Sequence, residues 1–83
     1  MNYVYILECI DGTLYTGWTN DIERRLISHN IGKGAKYTRG RTPVKLIYIE
    51  KYPTKVEAMK REFQIKKFTR QKKLHLIEKN SRT

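Results

Sequence analysis

Apolar and aromatic side chains crowd the start of the chain. Residues 3–9, Tyr-Val-Tyr-Ile-Leu-Glu-Cys, are rich in the aromatic and β-branched types that suit a pleated surface. Asp11-Gly12 interrupts them, and Leu14-Tyr15-Thr16-Gly17-Trp18 resumes the pattern, so the two runs predict an antiparallel β-hairpin. Asn20-Asp21-Ile22-Glu23 resembles a capping box, with a polar cap and Glu three residues later. It predicts a helix from about Asp21 to about His29. Residues 30–42 carry three glycines among four basic residues and read as a loop too glycine-rich for a stable helix. Val44 to Lys51 reads as a third strand. Tyr52-Pro53-Thr54 ends it and caps a helix over about Lys55 to Lys67, and a last helix covers about Gln71 to Lys79. The order β-β-α-β-α-α gives an α+β fold, a small three-stranded antiparallel sheet flanked by helices. We expect one domain over residues 1–83, ordered from about Tyr3 to about Ile77, with a frayed C-terminal tail.

The register of the hairpin decides which side chains meet. A two-residue turn at Asp11-Gly12 would pair Ile10 with Thr13 and send Tyr5 and Tyr15 to opposite faces, because side chains alternate along a strand. A three-residue loop, Ile10-Asp11-Gly12, would pair Cys9 with Thr13, Leu7 with Tyr15 and Tyr5 with Gly17. Gly12 then takes the left-handed bulge position, and both phenols share one face. In that register Gly17 leaves space opposite Tyr5 for a ligand or a backbone to approach. Tyrosine is also an ordinary strand former, so packing alone accounts for either residue.

Helical spacing sorts the polar candidates. With Ile22 at 0°, Leu26 falls at about 40°, His29 at about 340° and Arg25 at about 300°. Arg25 therefore aims at the sheet edge, while Arg24 at about 200° faces solvent. Arg25 suits forked binding of a phosphate, or its stem lies along the apolar stripe. His29, near the helix C-terminus, suits a dipole partner or an acid–base group. On the later helix, with Val56 at 0°, Phe63 falls at about 340°, Met59 at about 300°, Ala58 at about 200° and Ile65 at about 180°, and Glu62 at about 240° lies inside this apolar arc. A carboxylate so placed needs a partner. Lys66, four residues on, supplies one, and a cation such as Mg²⁺ supplies another.

Charge sharpens this reading. Lys and Arg total 18 against 8 acids, for a net of +10. Residues 51–83 hold 11 basic and 3 acidic residues and so carry most of the excess. Such a field favours polyanions. One cysteine, Cys9, makes neither an intrachain disulfide nor a cysteine-based zinc site, which suits a reducing, cytoplasmic setting. No apolar run approaches the length of a membrane span.

The ordered elements resemble the GIY-YIG nuclease superfamily. Tyr3-Val4-Tyr5 and Tyr15-Thr16-Gly17 are similar to its paired motifs, with the two tyrosines ten residues apart. Arg25 follows Tyr15 by ten, and Glu57-Ala58 with Glu62 resembles its metal-binding helix. The stretch from Tyr15 to Leu26 with His29-Asn30, then Gly34-Ala35-Lys36-Tyr37-Thr38 and Pro43-Val44-Lys45-Leu46, looks like the small stand-alone bacterial UPF0213-like group. The chain departs from the motifs at Tyr3 and Thr16, and at Leu74, where larger members carry asparagine.

The resemblance implies metal-dependent, endonuclease-type hydrolysis of nucleic-acid phosphodiester bonds, with DNA favoured and DNA repair a natural setting. Glu62 would hold one Mg²⁺ or Mn²⁺. Tyr5 is the expected general base and Tyr15 positions water or phosphate. Arg25 stabilises the phosphate, and His29 is a second base or a phosphate donor. Positive charge from Arg25, His29 or Lys36 would have to lower the phenol's pKa. Lys33, Lys36, Arg39 and Arg41 form the expected nucleic-acid track, extended by Lys66, Lys67, Arg70, Lys72 and Lys73. A separate protein partner would supply targeting, and a monomer is the default. The competing readings are a non-catalytic basic nucleic-acid-binding module on the same fold and an adaptor for an acidic protein.

Overall fold

The three-residue hairpin loop is the one that forms. In the computed structural model, which describes residues 1–81 with side chains as far as Lys79, Cys9 N–H donates to the Thr13 carbonyl at 2.9 Å and Gly12 N–H donates to the Cys9 carbonyl at 2.9 Å. Gly12 sits at φ 82°, a left-handed conformation open to glycine at little cost. Strands β1 (Asn2–Glu8) and β2 (Leu14–Thr19) therefore pair antiparallel with Leu7 opposite Tyr15 and Tyr5 opposite Gly17.

Helix α1 (Ile22–Asn30) follows, but its cap is Asp21, one residue beyond the expected Asn20. The Asp21 carboxylate accepts from Arg24 N–H at 3.2 Å. Thr19 holds the Asp21 amide through its hydroxyl at 3.1 Å, which fixes the turn ahead of the helix. The expected loop contains a short 3₁₀ turn, Lys36–Thr38. Asn30 then pairs with both backbone groups of Val44, its Oδ1 accepting at 2.8 Å and its Nδ2 donating at 3.5 Å, and so ties the end of α1 to the start of β3 (Lys45–Tyr52). Helix α2 (Lys55–Lys66) is capped by Thr54, and α3 (Arg70–Ser81) has its Lys72 amide held by Thr69 Oγ1 at 3.1 Å. The end expected to fray is helical through Ser81, while residues 82–83 lie outside the described residues.

The three strands form the expected antiparallel sheet, in the order β2-β1-β3. Central β1 is covered on both faces. Val4 and Ile6 pack with Tyr48, Ala58 and Ile65. Tyr5, Leu7, Cys9 and Val44 pack against Ile22 and Leu26 of α1 on the other side. Each such buried aliphatic side chain contributes about 1.5–3 kcal/mol. Among the described residues no helix is long and apolar enough to cross a membrane.

Helix α2 buries only one end of its apolar arc. The arc of Val56, Met59 and Phe63 points outward, with Val56 and Phe63 about 60% exposed, and the buried seam is Ala58 and Ile65. Ala58 lets the helix approach the sheet closely, and the flanking Arg61 forms a forked ion pair with Glu50 of β3 at 2.9 and 3.1 Å. Tyr48 and Tyr52 hydroxyls also donate to the Glu50 carboxylate. Desolvation works to raise the pKa of Glu50, but the bonds from Arg61, Tyr48 and Tyr52 together hold it below its ordinary 4.5.

Two predictions follow from these contacts. A depressed folded pKa adds stability above about 4.5 that is lost as pH falls through the lower folded value. Arg61→Ala is expected to cost about 2 kcal/mol in urea unfolding at pH 7, the scale of a charged hydrogen bond, with a smaller difference from wild type at pH 3. An equal cost at both pH values would contradict the ion-pair account. Thr16 Oγ1 is buried and, among the described residues, is the one buried side-chain polar atom without a hydrogen-bond partner. Thr16→Val, of matched shape, is expected to stabilise the fold by about 1 kcal/mol, and a destabilised variant would show that the hydroxyl has a partner.

Candidate active site

Because the hairpin has this register, Tyr5 and Tyr15 share the α1 face, with ring centroids 6.4 Å apart. Gly17 makes the room, but the space is filled by the protein itself. A Cβ there would lie 2.5 Å from the Tyr5 hydroxyl oxygen and 3.1 Å from Tyr15 Cε2. The opening expected for a ligand opposite Tyr5 is thus taken by the Tyr5 phenol.

Helix α1 brings two groups to that phenol. Arg25 Nε donates to the Tyr5 hydroxyl over 3.4 Å, and His29 Nε2 lies 3.0 Å from the same oxygen. Arg24 faces solvent, as its spacing requires. His29 is fully buried, and its Nδ1 lies 2.8 Å from Thr38 Oγ1. The Thr38 hydroxyl in turn donates to the Ala35 carbonyl at 2.9 Å. The backbone at Gly34 closes over the imidazole so tightly that a Cβ would overlap His29 Nδ1 and Cγ.

The electrostatics correct two expectations. Tyr5 is 1% exposed, and burial raises its pKa above the ordinary 10.0. The bond and charge of Arg25 oppose that rise, whereas Tyr15 and Glu62 add to it. The phenol is therefore held protonated, and the lowering expected of a general base does not occur. His29 is pushed below its ordinary 6.5, first by burial and then by the Arg25 charge. It is neutral and enclosed, and it presents no face to an incoming phosphate.

Glu62 comes to this site from the other layer, near edge strand β2. Its side chain is 19% exposed, its charge acts on Tyr5, and Lys66 Nζ stands 3.6 Å away in a loose i,i+4 pair. The same ammonium lies 5.9 Å from the centre of the Tyr15 ring. Tyr15 is half-buried and stacks on Tyr37, with centroids 5.8 Å apart. Among the described residues no three His, Cys, Asp or Glu side chains cluster as a metal cage. One carboxylate with open positions for water and a phosphate oxygen fits Mg²⁺ or Mn²⁺, which retain much of their water.

The basic track divides. Lys33, Lys36 and Arg39 are exposed on the loop. Arg41 instead braces the hairpin loop, with its guanidinium 4.3 Å from the Tyr37 ring centre, 3.7 Å from Asp11 and 3.3 Å from Thr13 Oγ1. Lys67 lies over Phe63 at 4.2 Å, about 140° around α2 from Glu62 and away from the phenols. Arg70 Nη1 donates to the Gly12 carbonyl at 2.7 Å, and Lys72 covers Phe68 at 4.2 Å. Lys73 is half-buried, its pKa lowered by burial and then by the charge of Lys66. Gly34, Tyr37 and Thr38 carried no role in the sequence reading. The one available signal was their position in the segment that resembles the UPF0213-like group.

Residues 1–75 match the GIY-YIG catalytic domain. The chain belongs to the GIY-YIG family. This is a family of nucleases. The chain is similar to a UPF0213 protein of Clostridium perfringens, 62% identical over 81 residues that span 98% of this chain and 87% of the relative. It is also similar to a UPF0213 protein of Staphylococcus saprophyticus, 60% identical over 76 residues, 92% of this chain and 93% of the relative. Among solved structures it is similar to the solution NMR structure of a UPF0213 protein from Bacillus halodurans, with TM-score 0.61 and 53% identity over 94% of this chain and 84% of that one. The solution NMR structure of a protein from E. faecalis gives TM-score 0.67 and 44% identity over 99% of this chain and 88% of that one.

For a member of this family, a neutral buried histidine is open to test. A folded pKa below 6.5 means that His29 adds stability above about 6.5 which is lost as pH falls through the lower folded value. The His29 ring is expected to titrate below 6.5 in a ¹H–¹³C NMR titration, and a midpoint at or above that value would contradict its enclosure.

Proposed function

We propose that this GIY-YIG chain hydrolyses nucleic-acid phosphodiester bonds, DNA above all, with one divalent metal ion. The observation that supports the reading is the gathering of Tyr5, Tyr15 and Arg25 on one face of the sheet, with the charge of Glu62 felt at Tyr5. Glu62 holds the ion, Mg²⁺ or Mn²⁺. When bound, the ion supplies Lewis-acid stabilisation of the phosphate and of the departing 3′-oxygen.

The chain's own groups divide the remaining work. Arg25 keeps its Nε on Tyr5 and turns the rest of its fork to the phosphate, where negative charge grows in the transition state. Tyr15, half-buried and flanked by Lys66, is the phenol that water reaches, and it orients the attacking water, whose proton passes to solvent. The water oxygen bonds to phosphorus, the bond from phosphorus to the 3′-oxygen breaks, and solvent protonates the leaving oxygen. Tyr5 and His29 stand behind the reacting groups and hold Arg25 rather than touching substrate. Lys33, Lys36, Arg39 and Lys66 contact backbone phosphates, which gives affinity without sequence reading and with strong salt dependence. Targeting then falls to substrate shape or to a protein partner.

The test is cleavage of plasmid and single-stranded DNA with Mg²⁺, Mn²⁺ or EDTA. Nicking is expected with either metal and none in EDTA. Arg25→Ala is expected to lower the rate about 100- to 1000-fold, and Glu62→Ala to remove metal-dependent turnover. Binding without cleavage in every metal, unchanged by Glu62→Ala, would overturn the catalytic reading in favour of a non-catalytic nucleic-acid-binding module. Absence of salt-sensitive binding to DNA and RNA would overturn both in favour of an acidic protein partner.

A further inference from the structure

The proposed reaction needs Arg25 aimed, and the interior behind it holds an unbroken line of polar atoms. From inside outward these are the Ala35 carbonyl, Thr38 Oγ1, His29 Nδ1 and Nε2, the Tyr5 hydroxyl and Arg25 Nε, with successive separations of 2.9, 2.8, 3.0 and 3.4 Å across the four contacts. Thr38, His29 and Tyr5 are all buried, so water does not complete their bonding and each proton must find an acceptor within the protein.

That requirement orders the line. The Thr38 hydroxyl donates its single proton to the Ala35 carbonyl, which also accepts from the Thr38 N–H at 3.0 Å. Thr38 Oγ1 can then only accept from the imidazole, which puts the proton of neutral His29 on Nδ1. His29 Nε2 is left with its lone pair, and the Tyr5 hydroxyl donates to it. The Tyr5 oxygen is in turn left to accept from Arg25 Nε. In the other tautomer, Nε2–H and Arg25 Nε–H both point at the Tyr5 oxygen, and no other hydrogen bond of the Tyr5 hydroxyl stands among the described residues to take its own proton. The phenol proton would then turn against one of its two donors, and Arg25 is the one with solvent as an alternative.

We propose that Thr38 is a positioning residue of the active site: by accepting from His29 Nδ1 it fixes the imidazole tautomer, and through Tyr5 it sets the direction of Arg25. The proposal rests on the nuclease reading for its purpose, but its mechanism is a property of the folded chain. Gly34 belongs to the same device, because only a residue without Cβ leaves the loop backbone close enough for Thr38 to reach the ring. The glycine-rich loop thus has an inward task besides the outward one of its lysines.

The experiment reads tautomer, arginine and rate separately in the full chain. Long-range ¹H–¹⁵N spectra of uniformly ¹⁵N-labelled wild type are expected to show His29 protonated at Nδ1, with a slowly exchanging Arg25 Nε–H signal. Thr38→Val, of nearly equal shape, is expected to populate the Nε2–H tautomer, to speed Arg25 Nε–H exchange at least tenfold, and to lower kcat on a DNA oligonucleotide about 10- to 100-fold with KM within about threefold of wild type. Thr38→Ser, which keeps the hydroxyl, is expected to restore all three. A wild-type His29 protonated at Nε2 overturns the proposal without recourse to any variant, which also covers failure of Thr38→Val to fold. So does a folded Thr38→Val that keeps the wild-type tautomer and Arg25 signal. If the wild type shows the expected tautomer and Arg25 signal and Thr38→Val loses both while no metal supports cleavage, the positioning role stands and the nuclease reading fails.

Discussion

One left-handed glycine at the hairpin loop governs everything built on this sheet. Gly12, at φ 82°, lets three residues close the turn, and the alternation of β1 and β2 then places Tyr5 and Tyr15 on one face. A shift of one residue would move every side chain of one strand to the other face. Tyr15 would leave α1, Gly17 would no longer lie opposite Tyr5, and Arg25 would have one phenol instead of two. Further contacts hold the loop in place. Arg70 takes the Gly12 carbonyl, Ile10 N–H donates to the Arg41 carbonyl, and Arg41 reaches Asp11 and Thr13. Two of the basic residues that suggested a nucleic-acid track, Arg41 and Arg70, are therefore partly consumed in bracing the turn.

The second constraint is the absence of water around His29. A titratable ring buried beside a guanidinium is neutral, and a neutral ring has to declare which nitrogen carries the proton. The same burial keeps Tyr5 protonated. Two residues that look like acid–base catalysts in the sequence thus become a rigid support. The phenol left in reach of solvent is Tyr15, held by its stack on Tyr37 and flanked by Lys66. Burial separates the two tyrosines into different kinds of work, although each is the tyrosine that its motif brings to this face.

Much of this was legible in the sequence. The order of elements, the two possible hairpin registers and the direction of Arg25 all followed from alternation and helical spacing, because those periods are fixed by backbone geometry. What spacing could not give was the depth of a side chain. Tyr5 and His29 were candidates for contact with substrate, and only the packing of α1 and the loop at Gly34 shows them enclosed. Thr38 was invisible for the same reason. A threonine in a basic loop carries no pattern, and its partner is nine residues away across a 3₁₀ turn. The reading of α2 was open in another way. Its expected apolar arc ran from Ile65 and Ala58 past Glu62 to Met59, Phe63 and Val56, and spacing alone did not say which end the sheet would receive. Close approach through a small residue and a forked ion pair outweighed apolar area.

That rotation of α2 turns Glu62 toward the β2 side of the sheet. Around the helix, Ala58 and Ile65 mark the seam against the sheet, with Arg61 on one flank and Glu62 on the other. Arg61 is fixed by two bonds to Glu50, and Glu50 is fixed by two tyrosine hydroxyls of β3. The ion pair therefore acts as a rotational stop at the β3 side of the helix, and Glu62 faces the β2 side as a geometric consequence. Had α2 settled on Val56, Met59 and Phe63 instead, the helix would have turned by about 140° and carried Glu62 away from the β2 side. The carboxylate that suits a metal and the carboxylate that secures the fold are thus linked through one helix. Neither contact was visible in the apolar pattern, yet together they decide which face of α2 the sheet receives.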